Sequence, residues 1–358
     1  MTRATDSAGR HSAGVKPRLL ALLVLVAAGC AGVGHEPLPG RPAHHVQGGF
    51  RNLDPEFRRP DFVTRWRFLV RHGLATVFAP RAFEAPRVAN DGAALRAGLA
   101  NPSLTWVGHA TLLVQLDGLN ILTDPHWGER ASPLGWAGPR RLSPPGIAFQ
   151  DLPRVDVVVI SHDHFDHLDL DTVTRLAVAH DPLFLVPLGL GAWFAEQGIA
   201  RVEELDWWQE RRVGPVRFVC VPTQHWSQRS PTDLNRRLWA AWALVGRERR
   251  LYFSGDTGYF AGFREIGQRL GPFDVAAMAV GAYLPREVMA RVHFTPEEAV
   301  QAFEELGGRV LLGIHWGTFD LADEALDEPP RRMLAEAERR RIMPDRAWVL
   351  RIGETRRW

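Results

Sequence analysis

Four apolar runs in the chain, Val155–Ile160, Val216–Val221, Arg250–Phe253 and Val310–Ile314, each hand over to histidine or aspartate as they end. The first leads into Ser161-His162-Asp163-His164-Phe165-Asp166-His167, the second into Pro222-Thr223-Gln224-His225. The third leads into Ser254-Gly255-Asp256-Thr257-Gly258 and the fourth into His315-Trp316-Gly317. Short runs rich in β-branched and aliphatic residues read as buried strands. In an α/β sheet the carboxyl ends of such strands share one rim, and that rim is the usual location of a site. A single histidine there is most often a hydrogen-bonded structural residue. Four such placements in one chain point to one site assembled from distant segments.

The remaining pattern agrees with α/β. Further strands are expected at Leu104–Val107, Thr111–Leu116, Leu119–Thr123, Leu183–Val186 and Val275–Ala279, and helices over residues 169–180, 189–197, 261–270, 296–306 and 330–341. Thr295-Pro296-Glu297-Glu298 carries a helix start: threonine to cap, proline in the first turn, acids beside the positive end of the dipole. Asp61 is a cap for an earlier helix, in which Phe62, Trp66, Leu69 and Val70 recur at helical spacing. Packing on the main domain is the first reading of that stripe, and a membrane-facing role the second.

Composition narrows the chemistry. With 358 residues, 46% of them hydrophobic, the chain has material for a large core. Lys16 is its only lysine, which removes P-loop and Schiff-base lysines and a histidine–lysine–aspartate phospholipase motif. No G-x-S-x-G elbow is present either, so chemistry rests on His, Asp, Glu, Cys or a cofactor. The formal net charge is +2, and residues 30–358 sum to −1, which is no general electrostatic footprint for nucleic acid.

The N-terminus reads as an export signal. A basic stretch ending at Arg18 precedes Leu19–Gly29, an apolar run shorter than the roughly 20 residues a permanent span requires. Ala27-Ala28-Gly29-Cys30 resembles a bacterial lipobox, in which the cysteine is acylated and becomes the first mature residue. The expected organisation is signal peptide 1–29, tether 30–50, and a hydrolase domain 51–358 with its core at about 100–330. His35, His44 and His45 read as solvated tether residues. Cys220, inside an apolar run, reads as a small core residue.

Within residues 162–167 the spacing is chemically specific. His162 and His164 can face one ion from a tight loop, while Asp166 and His167 reach a second. Imidazole with carboxylate suits zinc, and sulfur-free sites also take Fe or Mn. Paired ions in binuclear hydrolases need a bridging carboxylate, and Asp256 is placed in sequence to be one.

H-x-H-x-D-H followed by His, Asp and His resembles the metallo-β-lactamase superfamily. Trp106-Val107-Gly108-His109-Ala110-Thr111, Leu122-Thr123-Asp124-Pro125, Val186-Pro187-Leu188-Gly189-Leu190, Glu204-Leu205-Asp206-Trp207-Trp208, Gln224-His225-Trp226 and Ile314-His315-Trp316-Gly317-Thr318-Phe319 narrow it. They are similar to the N-acylphosphatidylethanolamine-hydrolysing phospholipase D family over residues 100–330. The resemblance implies an αβ/βα four-layer sandwich and two zinc ions. By it His162, His164 and His225 hold one ion, Asp166, His167 and His315 the other, and Asp256 bridges them. It further implies a phospholipid substrate cleaved by metal-activated hydroxide, with Asp166 and Asp256 in the catalytic machinery.

Outside the ligand set, His293 is a candidate to assist the leaving group or bind phosphate, with a helix-flanking structural histidine as the alternative. His109 either lines the site or is a buried hydrogen-bonded residue, and Asp124 is expected to orient a ligand loop. Trp226 and Trp316, each following a proposed ligand, suit an acyl substrate, and core packing explains them as well. Asp163 is expected to face away or to support its loop, and Asp169 to cap the following helix. The expected protein is a membrane-tethered lipoprotein of a bacterial cell envelope. Alternatives are a metal-dependent hydrolase of another ester, lactone or phosphodiester, and a surface lipoprotein that binds metal or lipid without turnover.

Overall fold

A computed structural model of the chain describes Gly34, residues 36–98 and residues 102–358. His35, Cys30 and the apolar run before Cys30 lie outside the described residues. The nine expected strands form, and the five expected helices appear as Leu170–His180, Gly191–Glu196, Gly262–Leu270, Pro296–Glu305 and Glu328–Arg339. Capping works as anticipated: Thr295 and Glu298 close a reciprocal capping box, Asp169 accepts from Thr172 N, and Asp61 accepts from Thr64 N at the start of Phe62–Phe78.

A small hairpin of β1 (His45–Val46) and β2 (Gly49–Phe50) precedes two seven-stranded sheets. In the first, β3 (Ser103–Gly108), β4 (Thr111–Leu116) and β5 (Leu119–Thr123) run antiparallel. Parallel pairing then continues through β6 (Val157–Val159), β7 (Leu183–Pro187) and β8 (Val202–Leu205). The second repeats that plan. It has antiparallel β9 (Glu210–Val213), β10 (Val216–Val221), β11 (Ala241–Val245) and β12 (Arg250–Phe253), then parallel β13 (Val275–Ala279), β14 (Val310–Ile314) and β15 (Ala347–Trp348). The last strand, β16 (Thr355–Arg357), returns to pair with β3. Parallel neighbours need crossovers, and the helices supply them.

Side chains in a strand alternate between faces, and this sorts the core into layers. Leu112, Val114 and Leu116 of β4 lie with Phe218, Trp242 and Phe253 between the sheets. Leu113 faces the other way, onto Val173, Leu176 and Phe194 of the first sheet's helices. Val157 and Val159 divide from Val158 in the same manner. The result is the four-layer αβ/βα sandwich.

The hairpin departs from expectation. His44 and His45 are not solvated: His44 is 4% exposed and packs against Trp207. Asp206, after β8, binds both rings, Oδ1 to His44 Nε2 at 2.6 Å and Oδ2 to His45 Nε2 at 2.7 Å. A partner some 160 residues away along the chain cannot be read from local composition.

Candidate metal centre

The loops after β6, β10, β12 and β14 converge on the carboxyl rim. His162, His164 and His225 meet with His164 Nδ1 lying 2.8 Å from His162 Nε2 and 3.2 Å from His225 Nε2. Beside them, His167 Nε2 and His315 Nε2 are 3.1 Å apart, each 3.3 Å from Asp166 Oδ2. Asp256 lies between the two sets. Its Oδ2 is 3.1 Å from His167 Nε2 and 3.9 Å from both His162 and His225, and its Oδ1 is 3.2 Å from His315 Nε2. All seven of the expected ligand residues are therefore brought together, with Asp256 in the shared position.

Hydrogen bonds on the far side of each ring set how it is presented. His225 Nδ1 faces Val292 O at 2.9 Å and His167 Nδ1 faces Asp124 Oδ2 at 2.7 Å. An acceptor at Nδ1 places the proton there and turns the Nε2 lone pair inward. Asp124 also accepts from Ser161 N and Oγ, which ties it to the start of the ligand loop. Asp163 is buried beneath that loop, paired with Arg237 and accepting from Gln228 N.

The donors fit a cation. His164 Nε2, Asp256 Oδ1, His293 Nδ1 and His315 Nδ1 are buried without a hydrogen-bond partner. Burial depresses His162 and His225 well below the ordinary imidazole value and brings His164 to about 3, so these rings are neutral donors. Burial would raise Asp166 and Asp256, but His167 beside each, with further imidazoles, outweighs it and holds both ionised. Burial would lower His167, but Asp256 and then Asp166 outweigh it and raise the ring well above the ordinary imidazole value, a positive charge held where a cation would sit. Three neutral imidazoles and two ionised carboxylates in one buried pocket are the donor set of a borderline divalent ion. The His44–His45–Asp206 cluster also converges, yet the facing Nε2 atoms and both carboxylate oxygens already bond one another; it reads as a clamp.

Around the ligands, His109 Nε2 lies 2.9 Å from Asp166 Oδ2 and its ring centroid 4.0 Å from that of His315. It therefore orients a site carboxylate from the β3–β4 turn, where it adopts φ 51°. His293 Nε2 comes within 3.9 Å of Asp256 Oδ2. Trp226 sets its ring edge on His164 at 4.2 Å and is partly exposed at the open side of the site. Trp316 is buried on Trp106, part of the core beneath His315.

Sequence reasoning missed three contributors. Asn52 bonds both His225 N and His225 O, and its segment carries no periodic signal. Arg59 stacks its guanidinium 4.1 Å over Trp226. His126, buried and bound through Nδ1 to Arg141, packs on Phe319 at 4.9 Å. It sits three residues past the end of β5, where the strand-end logic applied to the four ligand strands would have found it.

Comparison with known proteins agrees with this geometry. Residues 119–316 match the family model described as a beta-lactamase superfamily domain. An isothiocyanate hydrolase from Delia radicum gut bacteria superposes with TM-score 0.57 over 72% of this chain and 99% of that one, at 20% identity, and shares the fold. An uncharacterized Mycobacterium tuberculosis protein is 42% identical over 305 residues, covering 82% of this chain and 80% of its own. The N-acyl-phosphatidylethanolamine-hydrolyzing phospholipase D 1 of Caenorhabditis elegans is 44% identical over 243 residues, 65% of this chain and 68% of its own. The fold and site thus define a metal-dependent hydrolase of the metallo-β-lactamase superfamily. Within that superfamily the chain belongs to the N-acylphosphatidylethanolamine-hydrolysing phospholipase D-like family.

Proposed function

We propose that the chain is a binuclear zinc phosphodiesterase that cleaves N-acylphosphatidylethanolamine to phosphatidic acid and an N-acylethanolamine. The observation that carries this reading is Asp256, whose carboxylate reaches both histidine sets. His162, His164 and His225 would hold one ion, Asp166, His167 and His315 the second, and Asp256 both. Zinc bound there supplies Lewis-acid charge for phosphoryl oxygens and lowers the pKa of water to about 7.

Hydrolysis of this diester places the oxygen of water on phosphorus and breaks the bond to the N-acylethanolamine oxygen, which departs needing a proton. His293, brought by burial to about 4, is neutral at pH 7 and presents an N–H to a phosphoryl or leaving oxygen beside Asp256. His109 fixes the Asp166 carboxylate, and Asp124 fixes His167. Arg59 and Trp226 form a cationic and aromatic wall on the open side, suited to a phosphate with an acyl chain. The reading includes export, acylation at Cys30 and attachment to a bacterial envelope membrane, supported by the lipobox-like Ala27-Ala28-Gly29-Cys30.

The test is turnover by the purified full chain of N-acylphosphatidylethanolamine, phosphatidylethanolamine and a lactone panel, each with and without chelator. Release of phosphatidic acid with an acylethanolamide, abolished by chelator, is the expected outcome. Lactone opening without lipid cleavage would replace the substrate assignment while retaining a metal hydrolase.

A further inference from the structure

The helix Phe62–Phe78 carries its apolar stripe on the wrong side for a soluble packing element. Phe62, Val63, Leu69, Leu74, Val77 and Phe78 are between 47% and 75% exposed. At 3.6 residues per turn they fall on one arc of about 180°. Trp66, stacked on Phe62 at a centroid distance of 6.1 Å, lies within it. The opposite side makes the contacts with the domain: Phe68 packs on Ala282, Met289 and Ala322, and His72 Nε2 bonds Asp320 O at 3.2 Å.

Charge selects the occupant of that arc. Between Phe62 and Phe78 the ionisable residues are Arg65, Arg67, Arg71 and His72, with no acid. Arg71 is paired with Asp323 and His72 faces Asp320 and Asp323, so the domain offsets those charges. Arg65 and Arg67 meet no acid on the helix, and pairing two copies of it about a two-fold axis would add none. A basic helix with an aromatic, apolar outer face is instead complementary to anionic phospholipid, its apolar side entering the headgroup–acyl boundary.

Position selects the purpose. The helix rests on residues 282–289 and 320–323, the segments flanking His293 and Phe319, and Phe319 packs on His109 at 5.1 Å. Arg59, three residues before its start, lies over Trp226 at the open side of the site. We propose that Phe62–Phe78 lies in the surface of an anionic phospholipid membrane and sets the mouth of the metal centre against it. The inference rests on the phospholipid reading for its purpose, but not for its test.

Full-length protein with Cys30→Ser, which removes the expected acylation site, would carry a single added cysteine at Leu69→Cys, Val77→Cys or, as control, Val178→Cys on Leu170–His180. Cys220 is buried. Each variant is labelled with a fluorophore and mixed with vesicles of phosphatidylcholine, alone or with a quarter phosphatidylglycerol, containing nitroxide acyl chains. Labels at 69 and 77 should be quenched severalfold more on the anionic vesicles, and the label at 178 should not be. Absence of quenching at 69 and 77 overturns the proposal. So does shielding of those labels from iodide before lipid is added, which would assign the arc to a second copy or to residues before Gly34. No substrate enters this arm, so its outcome is independent of the phosphodiesterase reading. In a second arm, Leu69→Gln with Val77→Gln should slow turnover of vesicle-borne N-acylphosphatidylethanolamine severalfold while leaving the detergent-dispersed substrate unchanged. Equal loss on both forms would also overturn it.

Discussion

At the scale of single residues, the centre depends on groups that never touch the substrate. Asp124 is fully buried and accepts from His167 Nδ1 and from Ser161. An amide in its place could present either a donor or an acceptor to Nδ1 and would lose the ionised partner that makes His167 a stronger ligand. Asp124→Asn is expected to cost about 10–100-fold in metal affinity or turnover, measured by zinc titration against a competing chelator and by initial rates. Unchanged affinity and rate would show that Ser161 alone orients the loop. Asp256→Asn tests the shared position directly. On the proposed binuclear reading it should lower the bound metal from two ions per chain toward one by elemental analysis, whereas retention of two ions at full activity would remove Asp256 from the bridge.

At the scale of elements, strands were legible where burial imposes a pattern and illegible where pairing alone makes them. Val216–Val221 and Val275–Ala279 are apolar because sheets or helices cover both faces, so their limits could be read directly. Glu210–Val213 has an exposed, charged sequence and is a strand only because Arg211 and Arg212 pair across the hairpin with Phe218 and Arg217. Ala241–Val245 lies in the run Leu238–Val245, which is apolar throughout, so no polar–apolar alternation marks where the strand begins. The metal ligands were legible for a different reason: costly polar groups at the ends of apolar strands have few structural uses.

Two elements carry stability predictions. The β1–β2 hairpin is clamped by Asp206, whose pKa is lowered: burial would raise it, but the bonds from His44 and His45 outweigh that. Asp206→Asn leaves one of the two rings without an acceptor and should cost about 1–3 kcal/mol in urea unfolding; a change under 0.5 would sink the clamp. On Glu328–Arg339, Glu336 is held at about 2 by hydrogen bonds from Arg339 and then Arg340. A carboxyl depressed below its unfolded value stabilises above that unfolded value and loses the contribution as pH falls toward the folded one. The stability gap between wild type and Glu336→Gln should therefore be constant above about pH 5. It should narrow as the pH falls from the ordinary glutamate value of 4.5 toward 2, and a constant gap through pH 3 would contradict the assignment.

At the scale of the whole molecule, the two sheets follow one plan, antiparallel strands first and parallel strands after. The first sheet contributes His162, His164, Asp166 and His167 from one loop, and the second contributes His225, Asp256 and His315 from three. The centre therefore joins the two halves of the sandwich through polar groups, beside an apolar interface between the sheets and other polar links such as Arg237–Asp163 and Trp242 Nε1 to Ile160 O. Crowding five imidazoles and two carboxylates there is unfavourable by itself, as the buried atoms without partners show. Ions that bind this arrangement and not the unfolded chain add their binding free energy to folding, about 4 kcal/mol at a thousandfold excess over Kd. For a chain of this length that corresponds to a shift in Tm on the order of 5–10 °C. Chelator should lower the melting temperature of the full chain by that amount, added zinc should restore it, and Asp256→Asn should show a smaller shift. A melting temperature indifferent to chelator would mean that the apolar interface and the metal-independent polar links hold the halves together, and that metal binding here serves chemistry without serving the fold.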